Sequence, residues 1–291
     1  MLVGLLLSMG VSWADPLEIR DDTGQMVRLN APAQRIISLA PHLTENLFAA
    51  GAGAKVIGVV EYSDFPPPAR AIPRIGGYSR LDLEQIAALK PDLVIAWETG
   101  NQGGQIARLK ALGLKVFVTQ TNGLEDIAQQ LETFGKLAGT EAKAAIAARE
   151  FRTRLNEIRQ KYSGLPRVRV FYQVWKQPLI TVGNKQIISS AIRLCGGENV
   201  FGKLEPMAPH VSVEAVLAEK PEAIIASGMD NARPEWLDDW RQWKSLPAVV
   251  QDQLHFIPPE LIQRHTPRLL DGTEQLCVFL EKTRKAYAKT R

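Results

Sequence analysis

Three aromatic residues stand where apolar runs of strand character end. Tyr62 follows KVIGVVE, Trp97 closes DLVIAW, and Trp175 follows RVRVFYQV. Polar residues occupy the same kind of position. His42 follows RIISLAP, Ser227 and Gly228 follow the run ending at Ala226, and Glu260, Arg264 and His265 follow LHFIPP. In open α/β sheets, ligands sit beyond the carboxyl ends of the strands. Rings with only two rotatable bonds make broad contacts at little entropic cost. The chemistry such a set supports is non-covalent capture of a large, flat, partly apolar ligand. Taken singly, each ring has the alternative of a core or lid position. Bond-making chemistry has no comparable signal. The chain has no G-x-S-x-G, no P-loop, no H-E-x-x-H and no Gly-rich turn with dinucleotide spacing. Its four His are scattered, so no catalytic residue, metal ligand or cofactor site is assigned. An enzyme built on the same framework is the alternative from another functional class.

The elements that position these residues include one segment that occurs twice. LDLEQIAALKPDLVIA (residues 81–96) and VSVEAVLAEKPEAIIA (residues 211–226) align at an offset of 214 − 84 = 130, which pairs Glu84 with Glu214. Each copy predicts a short helix with an early Glu, a Lys-Pro break and an apolar strand. One repeat at so long a period predicts two similar lobes rather than a solenoid, with a cleft between them as the place for a ligand. Chance recurrence of a common α/β unit is the alternative.

Strands alternating with helices predict parallel sheets covered on both faces. Thr44 is the expected N-cap of the first helix, and LEIRDDTGQMVRL reads as a hairpin. From Thr140, a second N-cap candidate, to Tyr162 the chain contains neither Pro nor Gly, which predicts a connector helix about 33 Å long. The expected fold is therefore α/β, with two Rossmann-like lobes joined by one long helix. The expected divisions are a leader at 1–14, an N-terminal lobe at 15–139, the connector at 140–163 and a C-terminal lobe at 164–291.

The 291 residues suffice for two domains, and 45% hydrophobic content supplies ample core. A net charge of +4 is spread in mixed sign along the helices, which argues against nucleic acid as a partner. The apolar stretch Leu2–Val11 is too short to span a bilayer, and Ser12-Trp13-Ala14 offers a cleavage site before Asp15, as in a secretory signal peptide. No Lys or Arg precedes that stretch, and a buried N-terminal strand or helix is the alternative. Cys195 and Cys277 are an even pair in a chain read as exported. They are either bridged or independent buried thiols.

RIISLAPHLTE, EYSDFPP, IPRIGGYSRLDLEQIAALKPDLVIAW, GKLAGTEAKA and CGGENVF together resemble the periplasmic binding proteins of cobalamin, iron–siderophore and haem ABC importers, most nearly the cobalamin-binding members. The resemblance covers nearly the whole chain after the leader. It implies a monomeric periplasmic protein that carries cobalamin or a related corrinoid to an ABC permease dimer in the inner membrane. It implies that Tyr62, Trp97 and Trp175 contact the ligand, with Tyr78, Glu260 and Arg264 nearby. It implies that Glu84 and Glu214 dock onto permease arginines, and that Cys195 and Cys277 form the family disulfide. The chain departs from the family pattern at Ala208, where a relative carries Trp, and at Glu260, where it carries Asp. Haem is the second ligand implied, because Gly77-Tyr78-Ser79-Arg80 resembles the haem-binding G-Y-x-R setting, with Tyr78 as iron ligand. A ferric siderophore is the third.

Overall fold

The computed structural model describes residues 16–77, 80–101, 103–229 and 231–289. The expected leader at 1–14 and Tyr78 lie outside the described residues. A hairpin of β1 (Leu17–Arg20) and β2 (Met26–Leu29) comes first among the described residues. The first lobe continues with β3 (Ile36–Ser38), α1 (Pro41–Ala49), β4 (Val56–Val59), α2 (Leu83–Ala88), β5 (Leu93–Trp97), α3 (Gly103–Ala111), β6 (Val116–Thr119) and α4 (Leu124–Ala138). Then α5 (Glu141–Tyr162) leads to β7 (Val168–Gln173), α6 (Ile187–Leu194), β8 (Gly197–Asn199), α7 (Val213–Glu219), β9 (Ala223–Ala226), α8 (Pro247–Val250), β10 (Leu254–Phe256), α9 (Pro259–Ile262) and α10 (Leu269–Ala288).

The two main sheets are parallel and four-stranded, ordered β4-β3-β5-β6 and β10-β9-β7-β8. Numbered within its own lobe, each has the order 2-1-3-4. Each therefore has a switch point between its first and third strands, β3 and β5 in one lobe and β7 and β9 in the other. Ligands of open sheets collect at such a point, where neighbouring connections leave in opposite directions.

The repeated segment occupies the same place in both lobes, as the helix and strand that form the third unit. Both copies show the same alternation of exposure over Leu81–Ile86 and Val211–Val216, with only the sixth residue fully buried. Asp82 caps α2 by accepting from Gln85 N at 2.9 Å, and Ser212 caps α7 by accepting from Ala215 N at 3.2 Å. Lys90 and Lys220 leave their helices with φ of 44° and 47°, a left-handed exit ahead of each proline. The repeat is a structural one, and chance recurrence is set aside.

The strands are apolar at successive positions because both faces of each sheet are covered. Along β5, Leu93 and Ile95 face one core and Val94 and Ala96 another. Along β9, Ala223 and Ile225 face the first of these cores, while Ile224 and Ala226 face a third. The first core is common to both lobes. It joins Ile36, Leu47 and Phe134 to Val170, Ile225 and Leu276 through α5, which contributes Ala144, Ala148, Phe151, Leu155, Ile158 and Tyr162. These lie four and three residues apart in turn, one stripe of a helix. The other faces of α5 are clamped by ions. Arg152 donates to both oxygens of Glu132 on α4, and Arg154 to both oxygens of Glu274 on α10. A connector packed along its length restrains lobe opening as a Gly/Ser linker would not.

One capping position is corrected, and the other holds without the side-chain bond of a cap. α1 starts at Pro41, whose ring presets φ for a first helical turn, so Thr44 is internal. Its hydroxyl bonds Ser38 Oγ at 2.9 Å and anchors α1 to β3. Thr140 does stand at the α5 boundary, but its hydroxyl donates to Ala50 O at 2.7 Å instead of capping. Cys195, at the end of α6, is bridged to Cys277 on α10.

Candidate ligand-binding cleft

The carboxyl edges of the two sheets meet along one line. From the first lobe come α1 and the Tyr62–Phe65 loop, and from the second comes the segment Glu260–Arg268. Arg264 Nη1 bonds Asp64 Oδ1 at 2.9 Å, and its Nη2 donates to Tyr62 O at 3.2 Å. Arg268 donates from Nε and Nη2 to the two oxygens of Glu45, and Asn46 Nδ2 donates to His265 O at 2.9 Å. The second-lobe segment can approach so closely because Gly272 on α10 packs beneath it. A Cβ there would lie 2.5 Å from Leu261 O.

Trp97 is held from two sides. Its backbone N donates to Asn101 Oδ1 at 2.6 Å, and Asn101 Nδ2 donates to Leu39 O at 2.9 Å, which ties the end of β5 to the loop after β3. The indole lies where a side chain on Gly100 would stand, since a Cβ there would come 1.7 Å from Trp97 Cε3. Its other neighbours are His42 and His265, with ring centroids at 4.9 and 6.1 Å and near-perpendicular planes. The two imidazoles are 5.5 Å apart and buried. Burial pulls the His265 pKa down to about 4. His42 is depressed well below its usual value by burial, then by His265 and Arg264. Both rings are uncharged at neutral pH, and the floor of the cleft there is aromatic rather than ionic.

The cleft walls differ from this floor. Tyr62 is 72% exposed and holds φ of 62°, a left-handed conformation that costs a non-glycine residue about 1 kcal/mol or more. Strain that presents an aromatic ring to solvent fits a binding role better than a folding one. Trp175 is 38% exposed, two residues past β7, with Nε1 donating to Gln177 O at 2.9 Å. Met229, 68% exposed past β9, and Phe65, in the Tyr62 loop, are apolar side chains at the same edges that the sequence reading did not single out. Phe65 lies in a run read only as a proline-broken loop, and Met229 follows Gly228 with no pattern to mark it.

The structure thus brings Tyr62, Trp97 and Arg264 together at the line of contact, with Glu260 nearby at 3.9 Å from Arg268. Trp175 lies in the second lobe, two residues beyond the carboxyl end of β7. Arg264 is not a free cation, because Asp64 and, at 3.6 Å, Glu45 already share it. Burial pushes the Asp64 carboxyl up, but the hydrogen bond and charge of Arg264 outweigh it and hold the group below its ordinary range. Glu84 and Glu214 lie apart from the cleft contacts, exposed in the first turns of α2 and α7. A hollow of about 550 Å³ lined by Arg167, Arg193, Gly197 and Lys203 sits at the amino edge of the second sheet and takes no part in the site. Among the described residues, no group of three or more His, Cys, Asp or Glu is placed to hold a metal ion.

Residues 36–261 match the family model described as periplasmic binding protein. The chain is 39% identical over 255 residues to the vitamin B12-binding protein of Vibrio cholerae serotype O1, covering 87% of this chain and 91% of that one. The crystal structure of the periplasmic vitamin B12 binding protein BtuF of Vibrio cholerae superposes with a TM-score of 0.81 at 38% identity, over 87% of this chain and 99% of that one. The periplasmic heme-binding protein RhuT from Roseiflexus sp. RS-1 shares the fold, with a TM-score of 0.73 at 21% identity over 86% and 99% of the two chains. Two parallel sheets of matching strand order, a packed connector helix and a family match across most of both lobes lead to one assignment: the chain belongs to the periplasmic binding protein family.

Proposed function

We propose that this protein captures cobalamin, or a close corrinoid, between its lobes and delivers it to an ABC permease dimer in the inner membrane. The observation that carries the reading is 39% identity over 255 residues to a protein named for binding vitamin B12. The exposed rings of Tyr62 and Trp175 at the edges of the two sheets support it, since a macrocycle offers broad faces to stack on. In this reading Tyr62, Trp97 and Trp175 contact the ring system, and Tyr78, Glu260 and Arg264 stand around it. Glu84 and Glu214, one per lobe, dock onto matched arginines of the two permease subunits. Residues 1–14 direct export to the periplasm and are removed. The mature monomer is divided into lobes at 15–139 and 164–291, joined by the connector at 140–163. The protein binds and releases its ligand unchanged.

Absorption spectra test this. The protein is incubated in parallel with cyanocobalamin, haem and a ferric siderophore, then freed of unbound ligand. Retention of the corrinoid bands is the expected result. Retention of haem or siderophore in their place would overturn the corrinoid reading in favour of the other ligand classes.

A further inference from the structure

The line of contact between the lobes carries three carboxylates, Glu45, Asp64 and Glu260, against two guanidiniums, Arg264 and Arg268. Both of these cations already have carboxylate partners. Arg268 donates to both oxygens of Glu45 at 2.7 and 2.8 Å, stands 3.9 Å from Glu260, and lies over the Phe65 ring at 3.7 Å. Arg264 donates to Asp64 and to the Tyr62 carbonyl, with Glu45 at 3.6 Å. Arg70 stands outside this network, exposed, with Nε donating to the backbone carbonyl of Asp64 at 3.1 Å. Beside them, the buried imidazoles of His42 and His265 flank Trp97 and add no charge at neutral pH.

We propose that this carboxylate-rich ion network makes the cleft select ligands whose edge consists of uncharged amides and reject those whose edge carries carboxylates. The inference rests on the corrinoid reading and adds the chemical basis of its specificity. A carboxylate entering between the lobes gives up its water, and both guanidiniums of the network are already shared by carboxylates. To reach Arg264 it must displace Asp64, and beside Arg268 it meets the like charges of Glu45 and Glu260. A carboxamide also has two N–H donors, which a carboxylate lacks, so it can donate to Asp64 or Glu260 without disturbing any pair. Rejection of this kind works by penalising the wrong ligand rather than by adding contacts to the right one.

The test compares cyanocobalamin with its isomeric monocarboxylic acids, in each of which one peripheral amide is replaced by a carboxylate of the same shape. Affinities are measured by calorimetry near pH 7.5 for the native protein, for Asp64→Asn and for Glu45→Gln. At least one isomer is expected to bind the native protein about tenfold or more weakly than the amide parent, and Asp64→Asn, by removing the nearer carboxylate from Arg264, is expected to shrink that ratio to about threefold or less. Glu45→Gln, which frees Arg268, gives a second reading of the same ratio if Asp64→Asn does not fold. A purely structural role for the network would change both affinities together and leave the ratio alone. The inference is overturned if every isomer binds the native protein as well as cyanocobalamin, or if the ratio is unchanged in both variants. Failure of the native protein to bind cyanocobalamin at all would overturn the corrinoid reading, and the inference with it.

Discussion

Arg268 of the second lobe grips Glu45 of the first through two hydrogen bonds of 2.7 and 2.8 Å, between residues 223 positions apart in the chain. Only 3% of the Glu45 side chain is exposed, so the pair is a fastening in the interior rather than a surface contact. Arg268→Ala leaves that carboxylate, in a poorly hydrated site, with only Arg264 at 3.6 Å, and is expected to cost about 3 kcal/mol of stability. Arg268→Lys should recover little of it, because an ammonium cannot bond both oxygens in the same plane. Urea unfolding of the three proteins measures the difference. A loss below about 0.5 kcal/mol in Arg268→Ala would show that water reaches Glu45.

Tyr62 and Trp97 should separate binding from stability. Tyr62 is largely exposed with a left-handed backbone, so Tyr62→Gly is expected to keep or raise stability by up to about 1 kcal/mol while weakening cobalamin binding by at least about 1 kcal/mol. Trp97→Ala removes a ring packed between His42 and His265 and should lower both, with an affinity loss of at least about 1 kcal/mol. Calorimetric titration and thermal unfolding of each variant read the two quantities. Unchanged cobalamin affinity in either variant removes that ring from the site.

Glu84 and Glu214 sit at equivalent positions in the two structural repeats, each exposed in the first turn of a short capped helix. A hydrogen bond with its own backbone, then one from Ser212, holds the Glu214 carboxyl below its usual range, so it stays ionised at neutral pH. The double variant Glu84→Lys/Glu214→Lys should abolish cobalamin uptake, weaken permease binding in a salt-dependent way and leave cobalamin affinity intact. If the folded double variant supports normal uptake, both residues are merely helix-terminal acids that complement the dipole.

Acid should loosen the fold before it reaches the carboxylates. His265 and His255 have folded pKa values near 4, lowered chiefly by burial, against about 6.5 in an unfolded chain. Their folded values are depressed, so the stability linked to the neutral forms is complete above about pH 6.5 and is lost as pH falls toward about 4. Each should forfeit about 2 kcal/mol between pH 7.5 and pH 5. Urea midpoints at the two pH values test this, with His265→Gln expected to flatten the slope. A midpoint that is equal or higher at pH 5 refutes it.

The Cys195–Cys277 bridge closes a loop of 82 residues between the end of α6 and α10. Constraining the unfolded chain over that length contributes at most roughly 4.5 kcal/mol in the chain-entropy model. Both sulfurs are fully buried, so reductant should act only when the second lobe opens. Unfolding with and without reductant is expected to show a lower urea midpoint for the reduced protein. Equal midpoints would assign the bridge no role in stability.

The strands, the repeat and the limits of the connector were legible in the sequence, because apolar periodicity, Lys-Pro breaks and terminal glycines act on neighbouring residues. The expected helix from Thr140 to Tyr162 is α5 at Glu141–Tyr162. Thr44 misled because a hydroxyl that caps in one setting bonds an adjacent strand in another, and only the packed lobe shows Ser38 beside it. Tyr62 and Trp97 both end or follow strands of one sheet, yet one ring stands in solvent and the other wedges against two imidazoles. Arg264 reads from sequence only as a polar residue beyond the last strand, and its pairing with Asp64, 200 residues away, exists only in the fold. Those outcomes depend on how the lobes are set against each other. That setting follows from one apolar core shared along α4, α5 and α10, a property of the assembled chain that no local stretch of residues contains.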